Sequence, residues 1–229
     1  MTTGILIQAR TTSSRFPNKV FHKINGKYSI EYVIEECLAS KKADKVVLVV
    51  PHNEKYTFFK SFGEKYENLF VIGGASNDLV SRFWTASNIL SLDIIVRITG
   101  DCICIMSELI DNTIDYFNMN NFDYVSNFAL KNSTNQEDAH NHASETFLCD
   151  GFSCEVFGFL ALQQAYMNAQ SNYDKEHATT WIKRNLNCGL YNQDVLTLNG
   201  KFSLDEEKDL EVIEAFLLLK NKGFIKVNK

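Results

Sequence analysis

Proline and glycine are scarce in this chain, 2 and 11 residues out of 229, so no segment reads as a Pro/Gly linker or a collagen-like repeat. An excess of basic charge is also missing. The formal net charge is -5, which argues against coating a nucleic-acid duplex but leaves room for one nucleotide held by a few local cations. No apolar run reaches 18 residues, so no membrane-spanning helix is expected. The start, Met1-Thr2-Thr3-Gly4 followed by the short run Ile5 to Ile7, lacks the basic and long apolar regions of a secretory leader. The six cysteines (Cys37, Cys102, Cys104, Cys149, Cys154 and Cys188) include no CxxC pair. That spacing offers neither a zinc site nor a disulfide framework, and the expectation is reduced thiols in a cytoplasmic protein.

What is present is enough apolar residue, 45%, to bury a full core. One α/β domain over residues 1–229 is expected. Short apolar runs read as buried strands at Gly4 to Gln8, Lys45 to Val50, Asn68 to Ile72 and Asp93 to Ile98. Segments with helical spacing separate them: Tyr28 to Ser40, Asn53 to Tyr66, Asp78 to Ser91 and Glu108 to Asn118. Further on come strands at Tyr124 to Asn127 and Ser153 to Phe157, helices over Phe159 to Ala169 and Lys175 to Arg184, a hairpin turning at Asn199-Gly200, and a closing helix from Glu206 to Lys222. Strands alternating with helices predict a mostly parallel sheet with helices on both faces. Ligands of such sheets bind beyond the carboxyl ends of the strands, where the loop after Gln8, the loop after Ile72 and Gly100-Asp101 are expected to converge. A long polar stretch, about 131–149, interrupts the pattern.

The loop after the first strand, Gln8-Ala9-Arg10-Thr11-Thr12-Ser13-Ser14-Arg15-Phe16-Pro17-Asn18-Lys19, places three cations and four hydroxyls within ten residues. Hydroxyls, free backbone amides and guanidinium groups at a strand end suit a triphosphate. The Gly and Lys spacing of a Walker loop is absent. Composition alone leaves a solvated loop as the alternative.

The same loop resembles the signature of the cytidylyltransferases that make CMP-activated sugars. It is most like the spore-coat-polysaccharide (SpsF-like) branch and similar to the CMP-Kdo and CMP-acylneuraminate synthetases. The resemblance continues in order through Asp78-Leu79-Val80-Ser81-Arg82, Arg97-Ile98-Thr99-Gly100-Asp101-Cys102, Asp123 to Asn127, Asp150-Gly151 with Glu155-Val156-Phe157, Glu176-His177-Ala178-Thr179, and Leu204-Asp205 with Asp209-Leu210. It implies a Rossmann-like nucleotide-diphospho-sugar transferase fold, with a small excursion for dimer contacts or acceptor binding. It also implies a homodimer that transfers a nucleotidyl group from CTP to a sugar or acidic acceptor for surface glycan synthesis, with Mg²⁺ as cofactor.

By that resemblance Arg10 and Lys19 hold the triphosphate as catalytic cations, assisted by Gln8, Ala9, Ser13, Ser14 and Arg15. Asp101 and Asp205 ligate Mg²⁺, Asp101 also counting as catalytic. Asp78, Arg82 and Arg97 contact the nucleotide, and Glu155 and His177 face the acceptor. Each has a plainer alternative. Asp101 and Asp205 could cap helices, Arg97 and Glu155 could form structural ion pairs, and His177 could be a buried histidine. His140-Asn141-His142 with Glu137 and Asp138 is a weak metal pattern without a fourth ligand. The family's Asp-Cys-Pro-Leu-Ile-Asp reads here as Asp101-Cys102-Ile103-Cys104-Ile105-Met106, without the proline and the later acid. Use of another nucleotide such as GTP, and a non-catalytic nucleotide-binding role, stay open. So does a GT-A glycosyltransferase, although Asp101-Cys102-Ile103 is not its Asp-x-Asp.

Overall fold

A computed structural model describes residues 1–13, 15–53, 55–127, 151–191 and 201–225. Ser14, the polar stretch 131–149 with its histidines, and the turn at Asn199-Gly200 lie outside them. The first four apolar runs form β1 (Thr3–Gln8), β4 (Lys45–Pro51), β5 (Leu69–Gly74) and β6 (Ile94–Thr99). They are bridged by α1 (Ser29–Leu38), α2 (Tyr56–Lys65) and α3 (Leu79–Leu90). After α4 (Ser107–Met119) come β7 (Tyr124–Ser126), β8 (Glu155–Gly158), α5 (Phe159–Asn168), α6 (Asn172–His177), α7 (Thr180–Asn185), β9 (Cys188–Leu190) and α8 (Asp209–Asn221).

Seven strands make one sheet in the order β5-β4-β1-β6-β8-β7-β9. The pairs β1·β4, β4·β5, β1·β6 and β7·β9 are parallel, and β8 runs antiparallel to both β6 and β7. Side chains alternate between the two faces, as the pleat requires. Ile5 and Ile7 join a core with residues of α1, α2, α4 and α8. Leu6 joins a second core with residues of α3, α5 and α7. Both faces are therefore covered, which is why the parallel strands read as continuous apolar runs. No helix among the described residues is long and apolar enough to cross a membrane.

Besides the edge strand β9, three local features depart from the sequence reading. A two-strand hairpin, β2 (Lys23–Ile24) with β3 (Lys27–Tyr28), turns at Asn25 and Gly26, both with positive φ. It follows a 3₁₀ turn at Lys19–Phe21. The helix expected from Lys175 to Arg184 is two short helices, broken at Ala178 with φ 51°. The last helix starts at Asp209 rather than Glu206, because the Asp209 carboxylate turns back to accept the backbone N–H groups of Asp205 and Glu206.

Candidate active site

The chain runs outward from β1 to β4 and β5, then returns to lay β6 on the other side of β1. Such a reversal leaves a crevice at the carboxyl ends of the two central strands. Gln8 and Thr99 are register partners there, and the Gly100 N–H donates to the Gln8 carbonyl at 2.8 Å. A cleft of about 490 Å³ opens at this point.

The loop after β1 forms one wall. Gln8, Ala9, Arg10, Ser13, Arg15 and Lys19 all line the cleft. The loop folds on its own hydrogen bonds: the Phe16 N–H donates to Ser13 Oγ at 3.3 Å, and the Ser29 hydroxyl donates to the Lys19 carbonyl at 2.6 Å. Asn18, in the left-handed region, turns the chain into the 3₁₀ helix that carries Lys19.

Lys19 is the centre of a charge cluster. Its ammonium donates to Asp101 at 2.5 Å and to Asp205 at 2.9 Å. Burial alone would lower the Lys19 pKa; Asp101 and then Asp205 outweigh it and hold it above the usual value. Burial likewise pushes the Asp205 carboxyl up, and Lys19 and Lys201 overcome that and hold it below the carboxylate range. Arg15 also reaches Asp205, at 3.1 Å. Neither aspartate caps a helix: α4 begins beyond Met106, and the turn before α8 is capped by Asp209. The Leu204 N–H, bonded to the Asp101 carbonyl at 3.1 Å, ties the two carboxylate-bearing segments together.

Arg82 lies in the opposite wall, on α3. It is only 6% exposed, and among the described residues its Nε and Nη1 have no hydrogen-bond partner. Burial, then the nearby Arg10 charge, push its pKa down to about 10, with Asp78 opposing. A buried guanidinium with two unbonded nitrogens is costly, and an anion in the cleft would relieve it. Asp78 itself does not line this cleft; its carboxylate caps α3 by accepting the Ser81 N–H at 2.8 Å.

His177 lines the cleft together with Glu176, whose carboxylate accepts a hydrogen bond from Arg10 at 2.9 Å. That bond holds Glu176 below the usual carboxylate range. Arg97 and Glu155 lie behind the cleft rather than in it. Glu155 is 4% exposed and pairs with Arg97, Lys183 and the Tyr124 hydroxyl. Burial would raise its pKa, but Arg97 and Lys183 hold it well below the carboxylate range.

Sequence reasoning passed over Thr12, Ser76, Asn77, Thr99 and Glu176 in the lining. Ser76 and Asn77 sit in the β5–α3 loop that was expected to reach the crevice, and Glu176 directly precedes His177. Thr99 ends β6 and Glu176 lies in α6, and with Thr12 they fall inside motif stretches that gave them no role. Among the described residues no three His, Cys, Asp or Glu side chains gather as a ready metal centre.

A family model described as cytidylyltransferase matches residues 4–222. The chain is 37% identical over 186 residues to an uncharacterized protein of Methanocaldococcus jannaschii, covering 80% of this chain and 67% of that one. It is 32% identical over 132 residues to the 3-deoxy-manno-octulosonate cytidylyltransferase of Blochmanniella floridana, covering 53% of this chain and 49% of the relative. The match thus spans about half the length of that relative. Among solved structures, a cytidylyltransferase from Leptospira borgpetersenii superposes with a TM-score of 0.81 at 22% identity, covering 100% of this chain and 98% of the other. At that identity the likeness speaks for the fold.

Proposed function

Because the chain belongs to the cytidylyltransferase family, we propose that its cleft binds CTP and transfers the cytidylyl group to an oxygen of a sugar or sugar acid. The observation that carries this reading is Arg82, a buried guanidinium with unpartnered nitrogens in the cleft wall. It faces a loop that supplies Arg10, Arg15 and Lys19. A polyphosphate satisfies all four at once.

In the reaction an oxygen of the acceptor forms a bond to the α-phosphorus, the bond to pyrophosphate breaks, and the acceptor proton passes to water. Little covalent work falls to the chain. Its cations position the phosphates and offset the charge that builds on the leaving pyrophosphate. On this reading Lys19, which the ligand-free cleft pairs with two carboxylates, would exchange one of them for a phosphate and follow that charge.

Two carboxylates converging on one cation suit a hard divalent ion whose remaining ligands are phosphate oxygens and water. Asp101 and Asp205 are the residues that would hold Mg²⁺. When bound, the ion would neutralise phosphate charge. On this reading the acceptor would meet His177, which lines the same cleft.

Thermal unfolding with CTP, UTP, GTP and ATP, each with Mg²⁺, tests the reading. CTP at 100 times its Kd is expected to add about 2.7 kcal/mol to stability. The shift should vanish in Asp101→Ala and Arg10→Ala. A shift with a different nucleotide corrects the base, and no shift with any nucleotide sinks the proposal. The first acceptor to try in a pyrophosphate-release assay is 3-deoxy-manno-octulosonate, named in the relative from Blochmanniella floridana.

A further inference from the structure

The two carboxylate oxygens of Asp205 meet different surroundings. Oδ1 faces cations of the cleft, Lys19 at 2.9 Å and Arg15 at 3.1 Å. Oδ2 meets the Lys201 ammonium at 3.2 Å, from a residue that does not line the cleft. Lys201 is held in turn by Asp209 Oδ2 at 2.9 Å, and the buried Asp209 does not line the cleft either.

The backbone on both sides of this carboxylate is pinned. Before it, the Leu204 N–H donates to the Asp101 carbonyl at 3.1 Å. At it and after it, the N–H groups of Asp205 and Glu206 donate to the Asp209 oxygen that also holds Lys201, at 2.8 and 2.7 Å. What stays free at Asp205 is rotation of the side chain. The two oxygens of a carboxylate are equivalent acceptors until a neighbour distinguishes them, and Lys201 is the neighbour on Oδ2. The Lys201 side chain is partly exposed, so the pair adds little to stability. Its removal is therefore expected to disturb the site more than the fold.

We infer that Lys201, anchored by Asp209, is a positioning residue that withholds Oδ2 of Asp205, leaves the cleft one oxygen from that carboxylate, and so sets a preference for Mg²⁺ over Ca²⁺. Mg²⁺ demands a near-octahedral set of ligands, and the narrow bite of a chelating carboxylate does not fit it. Ca²⁺ takes more ligands in a looser array and accepts both oxygens of one carboxylate. A carboxylate limited to Oδ1 suits the smaller ion, and one free to chelate suits the larger. Lys201 acts on that choice only through Asp205, as outer partners of metal-binding side chains do. The ion preference rests on the nucleotidyl-transfer reading; the hold on Asp205 does not.

Two readouts on the full chain test this. The first needs no ligand: in ¹⁵N- and ¹³C-labelled protein, the signals of the Lys19 ammonium and its neighbouring methylene report how Asp205 faces it. Lys201→Met releases Oδ2 and is expected to shift them. Lys201→Arg keeps a cation on Oδ2 and should leave them close to wild type. Lys208→Met removes a cation paired with Glu206 rather than with Asp205, and should move nothing. The second readout is calorimetric titration with CTP in Mg²⁺ or in Ca²⁺. The wild type is expected to bind CTP more tightly with Mg²⁺, Lys201→Met to narrow that preference by about tenfold, and Lys201→Arg to keep it. Unmoved Lys19 signals in Lys201→Met overturn the inference. So does equal movement in Lys208→Met, an ion preference that Lys201→Met leaves unchanged, or a Lys201→Arg that behaves as Lys201→Met. Failure of CTP to bind the wild type with either ion counts against the nucleotide reading and the ion preference together, and the Lys19 signals then decide the hold on Asp205 alone.

Discussion

Arg82 shows how a single side chain can carry an unmet interaction. Leaving buried donors unsatisfied costs about 1–3 kcal/mol. Arg82→Met keeps most of the apolar volume and removes the charge. The ligand-free variant is expected to melt higher than the wild type, by about 1 kcal/mol of added stability, while losing at least tenfold in CTP affinity. A variant that loses stability without ligand would show that Arg82 is held by the fold rather than by an anion. Lys19 is the opposite case, a cation fully engaged with Asp101 and Asp205 in the free protein. Lys19→Met leaves those two carboxylates facing each other and should destabilise the ligand-free chain, in contrast to Arg82→Met.

At the scale of elements, the site depends on close passage of backbone segments that no local pattern announces. Gly151, with φ +108°, runs against Phe202; an added Cβ would lie 2.3 Å from the Phe202 carbonyl carbon. The same stretch leads through Leu204, bonded to Asp101, into Asp205. Gly151→Ala is therefore expected to lose more than about 1 kcal/mol and, under the proposed function, to weaken nucleotide binding by displacing Asp205. Chemical denaturation and calorimetry together check this, and a variant as stable as wild type would show that the segment yields easily. The Asn25-Gly26 turn is an instructive miss. The dipeptide is a strong hairpin signal, yet its strands are two residues long and show no alternation to read. The helix expected from Lys175 to Arg184 failed for a different reason: its spacing runs on, while the break at Ala178 coincides with tertiary contacts of the Thr179 hydroxyl, among them the one to Glu155.

Taken as a whole, the molecule places several carboxylates against cations. Glu155, Asp174 and Asp205 are each held below their ordinary values; burial opposes this, and Arg97 with Lys183, Arg184, and Lys19 respectively override it. A carboxyl with a native value below its unfolded one contributes stability above the unfolded value, near pH 4, and loses it as the pH falls toward the native value. Melting temperature should thus fall steadily below about pH 4. In Asp205→Asn the fall should be shallower from a lower starting stability, since one fewer proton is taken up on unfolding. An unchanged slope would mean that Asp205 titrates normally in the folded chain.

The short apolar runs and helical stripes were enough to specify the α/β layering, and the composition of the loop from Gln8 to Lys19 was enough to mark it as polar. These follow from periodicity and chain order, which are local properties. The partition of roles among the polar residues was not local. Asp78 turned out to be a helix cap, Arg97 and Glu155 a buried pair behind the cleft, and Asp101 and Asp205, 104 positions apart in the chain, partners of one ammonium group. Which carboxylate meets which cation depends on distances set when distant segments pack, and on burial that changes the strength of each charge. Those quantities exist only in the folded chain.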